Sequence, residues 1–265
     1  MKSIFITGAA SGIGRATACL FARMGWLVGL FDRDEQGLLS LAAELGEERC
    51  CFLKADVTDP LDVQRAMELF AGRTGGKMDL LFNSAGVLEM GLFEEVSLEA
   101  QQRVVDVNLK GVINCTHHAL PCLKRTPGAR IVNMSSASSF YGIPELAVYS
   151  ATKHALSALT EALDIELDSC GLTVCDIQAP YVKTPMITEA VRKAFSVDRM
   201  GINLEADQVA ACVWRAAHRR KLHWKMGGPA IHFLLFLFWA FPFAKRAIVR
   251  RLALAPSSSR PGANL

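Results

Sequence analysis

The sequence predicts a doubly wound α/β domain with a parallel sheet, carrying an apolar helical appendage at its C-terminus. Three observations predict it. Short apolar runs rich in β-branched and aromatic residues alternate with stretches of helical period. A glycine-rich turn follows directly on the first run. The connections between successive runs are long enough to carry right-handed crossover helices between parallel strands.

The strand candidates are 3–7, 27–32, 51–54, 80–84, 130–135 and 173–179. Helical patterns fit between them at 13–24, 35–45, 60–74, 98–122 and 147–170, and again at 205–218 after a loop. Hydrophobic residues make up 51% of the 265, enough for one sizeable core. The eight cysteines, at 19, 50, 51, 115, 122, 170, 175 and 212, form no CxxC pair and no zinc spacing. Reduced core thiols are therefore expected, with no disulfide and no metal. His117-His118, inside a helical run, lacks the carboxylate or thiol neighbours a metal ligand pair needs. Met1-Lys2 leads straight into the first strand without a signal-like segment, so a cytoplasmic protein is expected.

The first turn reads Thr7-Gly8-Ala9-Ala10-Ser11-Gly12-Ile13-Gly14-Arg15. Glycines between a strand and a helix let a pyrophosphate approach the helix N-terminus, where free N–H groups and the helix dipole favour anions. Gly8, Ser11, Gly12, Ile13 and Gly14 are thus candidate dinucleotide contacts. The second strand ends on Asp32, about 20 residues past the glycines, where a carboxylate accepts hydrogen bonds from ribose hydroxyls and repels a 2′-phosphate. That favours NAD over NADP, although Arg15 and Arg33 stand close enough in sequence to meet a phosphate.

Tyr149 and Lys153 share one face of a predicted helix at i, i+4 spacing. A free phenol, with pKa of about 10, is a poor base at neutral pH; a nearby ammonium lowers that value. The pair can then exchange a proton with an alcohol while hydride moves. The run Ile131-Val132-Asn133-Met134-Ser135-Ser136 puts hydroxyls at a strand's carboxyl end, where open α/β sheets bind ligands.

Over roughly residues 2–185 the chain resembles the short-chain dehydrogenase/reductase family, whose fold is Rossmann-like. The resemblance rests on the Thr-Gly-x-x-x-Gly-Ile-Gly turn at 7–14, Asp56-Val57, Asn83-Ser84-Ala85-Gly86, Asn108, Ser136, Tyr149-x-x-x-Lys153 and Pro180…Thr184-Pro185. It implies Ser136 as holder of the substrate oxygen, with neighbouring Ser135 as the alternative. Tyr149 becomes the acid/base, Lys153 its activator and ribose ligand, and Asn108 the holder of a water linking Lys153 to solvent. Asp56 and Val57 would meet the adenine, Asn83, Ala85 and Gly86 would border the adenosine, and Val182 and Thr184 would contact the nicotinamide carboxamide. Two departures stand out: Ser84 where many members have Asn, and Tyr181 where a flexible glycine is usual.

Residues 208–265 hold ten Lys/Arg and no acidic residue, whereas residues 1–207 hold 19 basic against 26 acidic groups. Within the basic region, residues 230–244 are almost continuously apolar and rich in aromatics. This run falls short of the about 20 residues that span a bilayer. It suits either a helix lying in a membrane interface, with 219–251 as the contact surface, or a cover over the substrate pocket or a homodimer partner. Aromatics gathered in one block, not interleaved with the basic residues, exclude a nucleic-acid groove. Only residues 222–226 can supply the final strand that the family often packs into tetramers.

The expected organisation is a catalytic NAD-binding domain at 1–228, an apolar segment at 229–255 and a disordered tail at 256–265. The expected activity is NAD(H)-dependent hydride transfer between nicotinamide and a hydroxyl or carbonyl carbon of a lipophilic secondary alcohol, steroid, retinoid or acyl chain. The rivals are an NADP-linked carbonyl reductase and a non-catalytic cofactor sensor at a membrane.

Overall fold

The computed structural model describes residues 1–254; the tail expected at 256–265 lies outside the described residues. The first half alternates β1 (Ser3–Thr7), α1 (Gly12–Arg23), β2 (Leu27–Asp32), α2 (Glu35–Leu45), β3 (Cys50–Lys54), α3 (Pro60–Thr74) and β4 (Leu80–Asn83). The second runs α4 (Leu98–Val105), α5 (Gly111–Lys124), β5 (Arg130–Met134), α6 (Ala147–Asp168) and β6 (Thr173–Gln178). Then come β7 (Val182–Lys183), α7 (Pro185–Thr188), α8 (Phe195–Met200), β8 (Leu204–Glu205), α9 (Ala206–Ala216) and β9 (His223–Lys225). The appendage is α10 (Pro229–Ala240) and α11 (Lys245–Ala253), joined through a short 3-10 turn at Pro242–Ala244.

Seven strands form one sheet in the order β3-β2-β1-β4-β5-β6-β9, every pairing parallel. Such a sheet must be covered on both faces, and β1 shows how. Its side chains alternate. Ile4 and Ile6 enter a layer with Phe21, Leu38, Val209 and Val213, while Phe5 enters the opposite layer with Phe70, Leu123 and Leu167. Strand order reverses between β1 and β4, which opens a crevice at their carboxyl ends.

Most boundaries fall within a residue or two of the expected ones, as termini do. The helix expected over 98–122 differs: a π-helical turn at Asp106–Lys110 interrupts it. The turn coincides with an anchoring of Asn108, whose side chain bonds both backbone groups of Val87: Oδ1 accepts from the N–H at 2.8 Å and Nδ2 donates to the carbonyl at 2.9 Å. Where α5 begins, Gly111 lies so close to α3's approach loop that a Cβ would stand 2.6 Å from Val57 Cγ2. The last strand comes from within 222–226, as β9 beside β6. All eight cysteines are free thiols.

Candidate active site

A cleft of about 730 Å³ opens at the carboxyl ends of the strands, over the β1/β4 reversal. Its floor at one end is the turn from β1 to α1. Gly8 has a left-handed φ of 67°, and a Cβ there would stand 2.8 Å from Ala85 Cα. A Cβ on Gly14 would stand 2.0 Å from the Gly8 carbonyl oxygen. Thr7 fixes the facing loop, its Oγ1 accepting from the N–H groups of Ser84 and Ala85, each at 3.1 Å. Asp34, Asp59 and Ser97 cap α2, α3 and α4 with their side chains, but Ser11 makes no such bond to α1. The first N–H groups of α1 are therefore left for a ligand, as an anion-binding helix terminus requires.

Asp32 closes this end. One carboxylate oxygen accepts from Ala10 N–H at 3.0 Å and the other from Asp34 N–H at 3.0 Å, so the group is held at the cleft wall. Arg15 is engaged elsewhere, in an ion pair with Glu44, whereas Arg33 lines the cleft. Asp56 binds Thr58 through the latter's N–H and hydroxyl, at 2.9 and 2.8 Å, which shapes the loop at the adenine end. Bare glycines, uncapped N–H groups and a fixed carboxylate in one crevice fit a dinucleotide.

At the other end stand Ser136, Tyr149 and Lys153. Ser135 and Ser136, interchangeable in the sequence, have different environments. Ser135 is buried, its hydroxyl 3.5 Å from the Lys153 carbonyl and 3.4 Å from Ser157 Oγ. Ser136 is less buried, accepts from Ser138 N–H at 3.1 Å and stands close enough to Tyr149 to favour its phenolate. Lys153 donates to the Met134 carbonyl at 2.8 Å and lies 5.4 Å from the Tyr149 ring centroid.

Burial governs both proton affinities. It pushes the Tyr149 phenol up to about 12, against the smaller lowering by Ser136. It brings Lys153 down to about 8, against the charge of Asp176, which raises it. Desolvation of the phenolate outweighs what Ser136 supplies, so burial raises the phenol on balance. At neutral pH the site holds a protonated phenol beside an ammonium.

A lysine whose folded pKa lies below its unfolded value binds its proton more weakly when folded. The resulting cost is full at neutral pH and disappears as pH rises from about 8 to 10.5. Lys153→Met removes this charge together with the hydrogen bond to the Met134 carbonyl; it is expected to abolish activity and to shift the balance of stability toward the variant at pH 7 relative to pH 10.5. Denaturant titrations at the two pH values read this difference; a variant whose stability relative to the wild type is the same at pH 7 and pH 10.5 contradicts the electrostatic account.

Of the residues read from the sequence, Gly8, Ser11, Gly12, Ile13, Gly14, Asp32, Asp56, Val57, Ala85 and Gly86 line the cleft, as do Ser136, Tyr149, Lys153, Val182 and Thr184. Two do not. Asn83 turns into the core, donating to Asn133 Oδ1 at 2.9 Å and Thr116 Oγ1 at 3.3 Å, so it braces β4 against β5 and does not border the adenosine. Asn108 is fully buried, with its side chain bonded to Val87, so that side chain is not free to hold the relay water.

Further residues that no local sequence signal marks also build the site. Thr7, Asn133 and Asp176 act from behind the cleft. Tyr141, Ile143, Leu234, Phe238, Val249 and Leu252 form its apolar wall. Tyr181, singled out as a departure, is fixed by a 2.6 Å hydrogen bond to Ser196 and faces the cleft next to Tyr149. Only tertiary packing brings these side chains together.

A doubly wound sheet with a dinucleotide crevice and a Ser/Tyr/Lys cluster at its inner end defines a cofactor-dependent oxidoreductase. The match to the short chain dehydrogenase family over residues 2–194 makes this chain a member of that family. It is 35% identical over 217 residues to a cyclohexanol dehydrogenase of Acinetobacter sp. (strain SE19), covering 79% of this chain and 86% of the relative. Among solved structures, a short chain dehydrogenase/reductase from Burkholderia phymatum in complex with NAD matches with TM-score 0.81 at 28% identity, over 96% of this chain and 97% of that one. An alcohol dehydrogenase from Thermococcus sibiricus complexed with 5-hydroxy-NADP matches with TM-score 0.76 at 28% identity, over 85% and 96%.

Proposed function

We propose that this protein is an NAD-dependent alcohol dehydrogenase/carbonyl reductase acting on a lipophilic secondary alcohol or the matching ketone, of steroid, retinoid or acyl-chain type. The observation that carries the reading is the setting of Tyr149: with Ser136 it lines a cleft that Leu234 and Phe238 also line, and its ring joins the apolar cluster of Ile187 and Tyr181. A hydroxyl-bearing carbon held by Ser136 meets an acid/base on one side and greasy side chains on the other. The likeness to a cyclohexanol dehydrogenase supports an apolar alcohol.

In carbonyl reduction Ser136 orients the substrate oxygen and Tyr149 delivers its proton to it. In alcohol oxidation the phenolate takes that proton, which a phenol near 12 resists. Lys153 supplies positive charge nearby and a donor for the ribose. Bound NAD adds the hydride acceptor and, when oxidised, a positive ring that favours the phenolate further. Oxidation rates should therefore rise with pH.

Asp32 supports NAD over NADP, because a carboxylate fixed at the ribose end repels a 2′-phosphate. Arg33 at the cleft wall is what favours the NADP-linked alternative. Fluorescence titration with NADH and NADPH decides between them: tighter NADH binding is expected, and a clear NADPH preference would sink the cofactor assignment. Asp32→Ala should weaken NADH by about tenfold or more while improving the relative standing of NADPH. For the substrate, a panel of alcohols followed by NADH absorbance should favour apolar secondary alcohols; turnover of sugars or polyols alone contradicts the reading.

A further inference from the structure

The appendage has two unlike faces. Inward, Phe238, Val249 and Ala253 are buried against Phe140, Tyr141 and Ile143, and Leu234 and Leu252 join them in lining the cleft. This face is a lid over the substrate end. Outward, the same helices and the turn between them expose Phe233, Phe236, Trp239, Phe241 and Phe243, with Trp239 at 80% and Phe243 at 83% exposure. Aromatics concentrated this way on a surface mark a contact site.

The basic residues that follow them in the chain say what covers it. Arg246, Arg250 and Arg251 are exposed and, among the described residues, form no ion pair. No acidic residue follows Asp207 in the sequence. A second copy packing this face on itself across a two-fold axis would bring like-charged arginines together with no carboxylate of the segment to offset them. An anionic bilayer meets both requirements, taking the rings at the headgroup–acyl boundary and the arginines at the phosphates. Among the described residues no helix is long and apolar enough to cross a membrane, so the contact lies along the surface.

We propose that the α10–α11 lid docks this protein on the surface of an anionic lipid bilayer. Its inner face then places the apolar end of the cleft next to the membrane. The docking rests on this surface alone and is independent of which reaction the cleft performs.

The test is co-sedimentation of the full-length protein with phosphatidylcholine vesicles and with vesicles of phosphatidylcholine and phosphatidylglycerol. The protein should bind the anionic vesicles, release them at high salt, and shift its tryptophan emission to the blue. Arg246→Gln/Arg250→Gln/Arg251→Gln should lower partitioning about a hundredfold, at roughly a factor of five for each basic group. Trp239→Ser/Phe243→Ser should weaken binding as well and lose the emission shift, while turnover of a small soluble alcohol stays at the wild-type rate in both variants. Failure of the wild type to bind anionic vesicles overturns the proposal. So does binding that neither variant weakens, or a dimer without vesicle binding that Trp239→Ser/Phe243→Ser dissociates. Vesicle binding in a protein that oxidises no alcohol would leave the docking standing and remove the proposed reaction instead.

Discussion

Tyr149→Phe is expected to lower turnover by about a thousandfold, the usual scale for loss of a positioned acid/base. NADH affinity should stay near the wild-type value. The hydroxyl is the only atom removed, and the ring keeps its place among Leu146, Ile187 and Tyr181. Removing a buried phenol that burial holds up to about 12 also removes its proton from the site, so the remaining activity should lose its rise with pH. Steady-state rates measured across pH, with a parallel NADH titration, separate this from a folding defect. Undiminished turnover would exclude Tyr149 as the acid/base.

Gly14→Ala is expected to have the largest effect at the cofactor end. An added methyl would stand 2.0 Å from the Gly8 carbonyl oxygen, which is backbone and cannot rotate away. Either α1 lifts from β1 or the Gly8 turn opens, and both movements destroy the approach to the N–H groups of α1. A stability loss of about 3 kcal/mol, or a Tm lower by about 10 °C, should accompany loss of NADH binding. A thermal melt with and without NADH checks both effects. Wild-type Tm and affinity would mean that the turn is not the dinucleotide cradle.

The elements of the sheet were legible because each rests on a local signal. The run from Ser3 to Thr7 is buried along its whole length and ends on glycines, and its alternating side chains feed both cores. The place of Gly8, Gly14, Asp32, Ser136, Tyr149 and Lys153 at the cleft is legible for a similar reason: each lies near a strand end or in the first turns of a helix.

The side chains of Asn83 and Asn108 point away from the cleft, which residue type does not reveal. A buried amide seeks partners: Asn83 Nδ2 finds Asn133 and Thr116 while its Oδ1 is left without one, and Asn108 finds both backbone groups of Val87. The π-helical turn at Asp106–Lys110 was invisible to helical periodicity, since one extra residue in a turn barely disturbs the apolar pattern. Burial, a property of the whole fold that no local motif carries, raises the Tyr149 phenol against what Ser136 supplies. The lid was foreseen as apolar, but its two faces appear only once α10 and α11 pack on Tyr141 and Ile143.

Transfer of isotopic label follows the hydride itself. An apolar secondary alcohol carrying deuterium on its carbinol carbon is incubated with the protein and NAD. The account predicts a primary isotope effect on the chemical step and deuterium at C4 of the reduced nicotinamide, one atom for each ketone formed. Deuterium in the solvent, or ketone without labelled NADH, would contradict it.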